Sequence, residues 1–415
     1  MTQTTTSSQS TPSNRDLYIA LDLSRATWQL AVSDGVAKPR DIVVHRDNPD
    51  AAKTQFVNEM SAAKLRFGLQ NDCAVHAVFE AGRDGFWIER WLLSIGVLCV
   101  VIDPASIEVD RKAKQRKTDL IDARKLLQLL IDHLGGRVGL RVVNPPSPED
   151  EDARRPQRLL DSLKETRTRM TTRVQSLLFA QGIDRKHDCW LKDDLATLRT
   201  GDGREIGAGL RQELEVLNRL VASLDDEIFQ LEQQRAAALA KPTTETQCIA
   251  QKLESLVAIG PIGAWTLAHE LFGWRHFASG KHLGSFLGLT PTPWATGDTK
   301  REQGISKAGP PHLRALFIQL AWAWLRYQPQ SPLSLWFNER WAKGGKRSRR
   351  VGIVALARKL AVLLWRYVTQ GVVPDGVALK ADDRRTKPVG RRIVNKTRPR
   401  QLVAAKVTAK APTAV

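Results

Sequence analysis

The feature that most limits how this chain can fold is an ordered succession of short apolar runs between Leu17 and Leu134. Leu17–Leu23, Trp28–Ser33 and Asp41–His45 have strand lengths and are too short for helices. Residues 50–65 read as a helix, 74–79 as a strand, 86–95 as a helix, Leu98–Ile102 as a buried strand and Asp119–Leu134 as a strongly periodic helix. The predicted order is β-β-β-α-β-α-β-α. Three antiparallel strands followed by parallel strands and helices give an α/β sheet covered on both faces. Periodicity alone does not separate this sheet from other α/β folds of its size.

Four carboxylates narrow the choice. Asp22 interrupts the apolar run Ala20-Leu21-Asp22-Leu23, and Glu80 ends the run Ala77-Val78-Phe79. A carboxylate at such a place costs several kcal/mol in desolvation unless it is paired or metal-bound. Asp119 and Asp122 stand three apart and share one face of the last helix. In an RNase H-like (RuvC-like) sheet the first and fourth strands are neighbours and the last helix packs beside them, so all four acids would converge. Clustered carboxylates raise one another's pKa and call for cations. Ligands that are all oxygen favour Mg²⁺ or Mn²⁺ over zinc, and two such ions about 4 Å apart suit phosphoryl transfer. Taken alone, Asp119 reads more readily as a helix cap than as a metal ligand.

Composition bears on partners. The chain carries 63 Lys and Arg against 44 Asp and Glu, a net +19, a surplus whose usual counterpart is a polyanion. Cys73, Cys99, Cys189 and Cys248 form no Cys-x-x-Cys pair, which excludes a disulfide scaffold and argues against a zinc ribbon. The longest apolar run, Val351 to Val368, contains Arg358, Lys359 and Arg366, so no membrane span is expected. Residues 1–15 are polar and read as a disordered leader without the apolar core of a secretory signal. The expectation is a reduced, cytoplasmic, nucleoid-associated protein.

The sheet is assigned to residues 16–145, and a proline- and acid-rich stretch, Val142 to Pro156, marks its end. Residues 150–245 read as two long helices. Leu210, Leu214, Leu217, Val221, Leu224, Ile228 and Leu231 step 4-3-4-3-4-3, a strict heptad seam, and Leu163, Met170, Val174 and Leu177 form a looser one. Either an antiparallel hairpin or a dimerising coiled coil satisfies this pattern. Residues 250–378 read as mostly helical, with tryptophans (Trp322, Trp324, Trp336, Trp341) assigned to core. Residues 379–415 form a basic tail. Lys343 to Arg350 reads as a basic loop suited to phosphate contact. Ile259-Gly260-Pro261-Ile262-Gly263 reads either as a phosphate-holding turn or as a tight joint between core helices. His269, His276, His282 and His312 lack metal spacing, and Glu149 to Asp152 reads as a solvated acidic linker.

The motifs in this order resemble the DEDD transposases of the insertion sequence 110 family, within it the 1111 subgroup. The resemblance runs from Leu17 to about Val373, through Tyr18-Ile19-Ala20-Leu21-Asp22-Leu23, Glu80-Ala81-Gly82-Arg83, Lys117-Thr118-Asp119-Leu120-Ile121-Asp122, Pro148-Glu149-Asp150-Glu151-Asp152, Ile259-Gly260-Pro261-Ile262-Gly263, Leu287-Gly288-Leu289-Thr290-Pro291 and Gly304-Ile305-Ser306-Lys307-Ala308-Gly309. It implies a RuvC-like nuclease domain, a coiled-coil dimerisation region and a helical transposase domain. It also implies RNA-guided DNA recombination, in which a structured noncoding (bridge) RNA pairs with donor and target DNA. Asp22, Glu80, Asp119 and Asp122 correspond to the DEDD acids that hold Mg²⁺. The expected partners are DNA, that RNA and further copies of the chain, as a dimer and, in synapsis, a tetramer.

The family uses a serine nucleophile shortly after Gly-Leu-Thr-Pro and directly before a glycine. Here that position is Thr296, in Pro293-Trp294-Ala295-Thr296-Gly297. A threonine hydroxyl can attack phosphorus, but its methyl stiffens χ1 and crowds the oxygen. Thr296 is therefore read as a working or slowed nucleophile, or as the mark of a decayed copy, with Ser306 as a substitute. Two other functions stay open at this point. One is a hydrolytic nuclease of the Holliday-junction-resolvase type, and the other an inactive nucleic-acid-binding remnant.

Overall fold

A computed structural model describes residues 15–82, 85–104, 119–184, 195, 197–296, 299–373 and 375–380, with side chains of 119–121 and 293–303 outside the description. The leader and most of the basic tail lie outside these residues. The chain forms two compact units, Met1–Ser147 and Pro148–Val415.

The first unit contains β1 (Leu17–Leu23), β2 (Thr27–Ser33), β3 (Arg40–His45), α1 (Pro49–Arg66), β4 (Val75–Glu80), α2 (Trp87–Ser94), β5 (Leu98–Ile102) and α3 (Asp119–Leu134). This is the predicted order, with edges shifted by a residue or so. The five strands form one mixed sheet in the order β3-β2-β1-β4-β5. β1–β2 and β2–β3 pair antiparallel, and β1–β4 and β4–β5 pair in parallel. That topology is compatible with the RNase H-like expectation.

Strand alternation gives the sheet two faces. One carries Leu17, Ile19, Leu21, Trp28, Leu30, Ala77 and Phe79, packed with Ala52 and Phe56 of α1 and Ile88 and Leu92 of α2. The other carries Ala20, Ala31, Val78 and Ile102, covered by Ala123, Leu126, Leu127 and Leu130 of α3. Small residues on this second face let α3 approach closely. Arg124 of α3 makes a bidentate pair with Asp41 of β3, which fixes the rotation of the helix.

The second unit is helical, with one hairpin of strands. α4 (Pro148–Ala153) is a short helix with no buried residue, so the predicted acidic linker is helical. Acids in its first turn favour that, because they oppose the positive end of the helix dipole. α5 (Arg155–Phe179) and α6 (Ala208–Ala240) form an antiparallel pair. Gln157 meets Arg235, Lys164 meets Glu232, Arg167 meets Asp225 and Arg173 meets Glu213. Leu214, Leu217 and Val221 of the seam pack on Val174 and Leu178 of α5. The heptad seam is therefore used within the chain.

The remaining elements are α7 (Glu245–Glu254), α8 (Pro261–Leu267), α9 (Gly280–Phe286), β6 (Pro291–Thr296), β7 (Thr299–Ile305), α10 (Pro311–Tyr327), α11 (Pro332–Phe337) and α12 (Lys346–Gln370). The antiparallel β6–β7 pair stands inside the region predicted to be mostly helical. The predicted basic loop is likewise half helix, because α12 begins at Lys346, after the Gly344-Gly345 break. Gly260 caps α8 and Pro261 starts it, and Gly263, Ala264 and Trp265 are buried, which favours the core-joint reading of that turn.

One buried charge cluster holds α5 to this unit. Residues Ala268–Phe272 form a π-helical turn that carries Glu270, whose side chain is 9% exposed. Arg158 donates two hydrogen bonds to its carboxylate, at 2.7 and 2.9 Å, and Arg154 stands 3.7 Å away. The Arg275 guanidinium stacks 3.8 Å over Trp274 beside them. Burial raises the Glu270 pKa, but the Arg158 hydrogen bonds and the charges of Arg158 and Arg154 outweigh it and hold the carboxyl below its usual range. Burial also pushes the His269 pKa down.

Both shifts act in one direction. A depressed carboxyl stabilises the fold above its unfolded pKa of about 4.3, and that contribution is lost as pH falls through the folded value. A depressed histidine costs stability once pH falls below its unfolded value of about 6.5, because the unfolded ring takes up a proton that the folded ring does not. The melting temperature should therefore fall on acidification from about pH 6.5. Glu270→Gln leaves Arg154 without its buried counter-charge and should cost about 3–5 kcal/mol at pH 7, with a flatter acid limb, in thermal melts across pH.

Candidate active site and cationic groove

Parallel pairing places the first two acids. The register Leu21↔Phe79 puts Asp22 and Glu80 immediately beyond it, at adjacent strand ends. By alternation both belong to the face that carries Ala20 and Val78, the one α3 covers. Asp22 is half-buried and Glu80 exposed. Asp119 opens α3, and Asp122 directly precedes Ala123, which packs on this face. The Asp122 side chain is half-buried, while that of Asp119 lies outside the described residues. All four predicted acids thus belong to the sheet and helix of one interface.

Among the described residues no group of three or more His, Cys, Asp or Glu is close enough to hold a metal ion. That statement covers Asp22, Glu80 and Asp122 but not the side chain of Asp119. The donor set is entirely carboxylate, two of them on neighbouring strands of one face, which fits a hard divalent cation such as Mg²⁺ or Mn²⁺. His269 is committed elsewhere, with Nδ1 3.0 Å from the Trp265 carbonyl.

Thr296 belongs to the second unit, as the last residue of β6 with Thr299 as its cross-strand partner. Its side chain, and the neighbouring Gly297 and Asp298, lie outside the described residues. The base of this hairpin is well defined, and two sequence motifs build it. Ser306 N–H donates to the Thr290 carbonyl at 2.9 Å, and Lys307 N–H to that of Gly288 at 3.2 Å. Gly288 has φ +65°, and a Cβ there would stand 2.1 Å from the Ala308 oxygen. Gly309 has φ +88°, and its Cβ would stand 1.9 Å from the Phe286 oxygen. Arg314 then donates to the carbonyl of Lys307, itself at φ +55°. Ser306 is thus part of the clasp that closes the hairpin.

A groove of about 1100 Å³ opens beside that clasp. Leu289, Pro291, Gly304 and Ile305 line it, together with the apolar Trp336, Trp341, Val351 and Val354. Arg340, Arg347, Arg350, Arg358, Lys359 and Arg366 line it, with Asp375 the one acid among its lining residues. Trp341 packs against Gly352, where a Cβ would stand 2.5 Å from its Cγ. Trp336 receives Lys359 Nζ 4.7 Å over its ring. Trp324, by contrast, is fully buried and donates to Ser331 Oγ, so the core expectation for the tryptophans holds for some of them only. Sequence reading missed the groove, although the absence of any acid from α12 was a visible signal.

The family model described as the IS116/IS110/IS902 transposase family matches residues 250–334. A protein named as a putative transposase, y4rJ, of Sinorhizobium fredii is 36% identical over 383 residues, covering 88% of this chain and 94% of the relative. The transposase for insertion sequence element IS1328 of Yersinia enterocolitica is 29% identical, over 63% of this chain and 74% of the relative. The transposase for insertion sequence element IS1111A of Coxiella burnetii is 23% identical, over 86% and 91%.

The clasp geometry is open to test by urea denaturation. Gly288→Ala and Gly309→Ala, each driven into backbone oxygen at positive φ, should each cost at least about 2 kcal/mol. Gly260→Ala, with nothing within 4 Å of its Cβ, should stay within about 1 kcal/mol of the parent.

Proposed function

The chain belongs to the IS116/IS110/IS902 transposase family, and from that premise we propose that it cuts and exchanges DNA strands under the guidance of a structured noncoding RNA, through a covalent link to Thr296. The observation that carries this reading is the placement of Asp22 and Glu80 at adjacent strand ends on the face covered by the helix of Asp119 and Asp122. In an RNase H-like sheet those acids serve phosphoryl transfer. Asp22, Glu80, Asp119 and Asp122 would hold Mg²⁺ or Mn²⁺, which when bound supplies charge neutralisation for the scissile phosphate.

The chain's own residues do the rest. The hydroxyl oxygen of Thr296 attacks phosphorus and gives up its proton. The bond from phosphorus to the 3′ oxygen breaks, and that oxygen takes a proton to leave as a 3′-OH. One phosphodiester is lost and one phosphothreonine ester formed, so no outside energy is needed. The reverse attack by the 3′-OH of a partner strand releases Thr296 and completes the exchange. The clasp at Gly288 and Gly309 fixes the base of the hairpin that carries Thr296, and small misplacements are costly in such a step.

The acids and Thr296 belong to different units. A site composed from two protomers, as in a dimer or a synaptic tetramer, satisfies both. Because the heptad seam is buried within the hairpin of α5 and α6, pairing of protomers falls to other surfaces, such as exposed Val216 and Leu220 on α6. No helix among the described residues is long and apolar enough to cross a membrane, and the proposed setting is the cytoplasm, at the nucleoid.

The test is a denaturing gel of protein, RNA from the noncoding flank of the gene, labelled junction DNA and Mg²⁺. A protease-sensitive protein–DNA adduct is expected, lost in Thr296→Ala and in Asp22→Asn. An adduct that survives Thr296→Ala would overturn Thr296 as nucleophile, with Ser306 the next residue to map. The threonine in place of serine also favours a second reading, a hydrolytic nuclease, which free nicked ends without any adduct would establish.

A further inference from the structure

The groove beside α12 has chemistry that double-stranded DNA does not require. On α12, Arg347, Val351, Val354, Arg358, Val362 and Arg366 step 4-3-4-4-4 along one face, and all line the groove. From Arg347 to Arg366 the helix rises about 28 Å, the length of about eight stacked nucleotides. Cations and apolar side chains therefore alternate along a track, rather than forming a flat basic patch. A duplex presents phosphates and sugars outward and keeps its base faces stacked inside. Unpaired strands expose base faces that gain from an apolar or aromatic floor, while their phosphates need fixed cations.

Three further facts point the same way. Among the described residues, none of Arg340, Arg347, Arg350, Arg358, Lys359 and Arg366 is ion-paired with a carboxylate. Lys346, Arg347, Arg349 and Arg350 crowd the start of α12, where the helix dipole disfavours positive charge, and the first turn holds no acid. The groove, of about 1100 Å³, has room for an extended chain of several nucleotides.

We propose that this groove binds a single-stranded segment of DNA, bases on Trp336, Val351 and Val354 and phosphates on Arg347, Arg350, Arg358 and Arg366, and leads it to the hairpin that carries Thr296. The assignment to DNA follows from the part that hairpin takes in the groove lining, through its paired Pro291 and Ile305 and the adjoining Gly304. In this respect it rests on the proposed role of Thr296, and its place is next to the strand being cut.

Binding is measured by fluorescence anisotropy with the full chain, labelled single-stranded DNA of about twelve nucleotides, RNA of the same sequence and the DNA duplex, over a salt series. The chain should prefer the single DNA strand. Arg350→Gln with Arg366→Gln should weaken it about tenfold and make the slope of log K against log salt shallower by about 1.4, at about 0.7 for each phosphate no longer neutralised. Val351→Glu, at a half-exposed position, should weaken it as well without disturbing the core. Lys346→Gln with Arg349→Gln removes the same charge from the same helix outside the groove lining, and should move both quantities less.

Equal weakening by the two charge pairs would overturn the groove in favour of diffuse attraction. Equal binding of duplex, with the same weakening, would overturn the single-strand assignment. RNA bound more tightly than DNA, and released by the groove pair, would assign the track to RNA instead. Because binding needs neither Thr296 nor the four acids, these results stand or fall apart from the adduct experiment.

Discussion

The parallel pairing of β1 with β4 is the constraint on which the account depends. Its register, Leu21 against Phe79, makes Asp22 and Glu80 neighbours and turns both toward α3. Like charges so placed repel, whereas the pair before them on the same face, Ala20 and Val78, is apolar and buried. A shift of one residue in either strand would send its acid to the face packed by α1 and α2, among Leu, Ile and Phe, at a cost of several kcal/mol. The hydrophobic pattern of the strands thus fixes the location of the acids as firmly as it fixes the core.

Much of this was legible in the sequence because it is written in strong local periods. The runs Leu17–Leu23 and Leu98–Ile102 and the helix Asp119–Leu134 have in the structure the bounds their patterns imply. The hairpin of β6 and β7 was not legible: Pro291–Thr296 carries two prolines, Thr299–Ile305 is mostly polar, and neither has the apolar alternation of a buried strand. What closes that hairpin is the close approach of Gly288 to Ala308 and of Gly309 to Phe286, which no local pattern encodes. The π-helical turn around Glu270 is similar, since its reason is Arg158 on a distant helix. The heptad seam of α6 shows the converse limit. Its period announces a partner helix but not whether that partner lies in the same chain, and here α5 supplies it.

The charge surplus has a distinct spatial form. A net +19 says only that a polyanion is a fitting partner. The structure resolves part of that surplus into one acid-free helix, α12, whose cations line a groove together with tryptophan and valine. Several arginines elsewhere are paired with carboxylates: Arg124 with Asp41, Arg158 with Glu270, Arg167 with Asp225. That division between neutralised and available cations separates structural charge from charge kept for a ligand.

The central claim is that Asp22 and Glu80, with the aspartates of α3, form one cation site. Titration of the protein with Mn²⁺, followed by electron paramagnetic resonance of the free ion, addresses it without DNA, RNA or turnover. The account predicts Mn²⁺ uptake that Mg²⁺ displaces and that Asp22→Asn with Glu80→Gln removes, while the circular dichroism spectrum stays unchanged. Equal uptake by the parent and the double variant would contradict it.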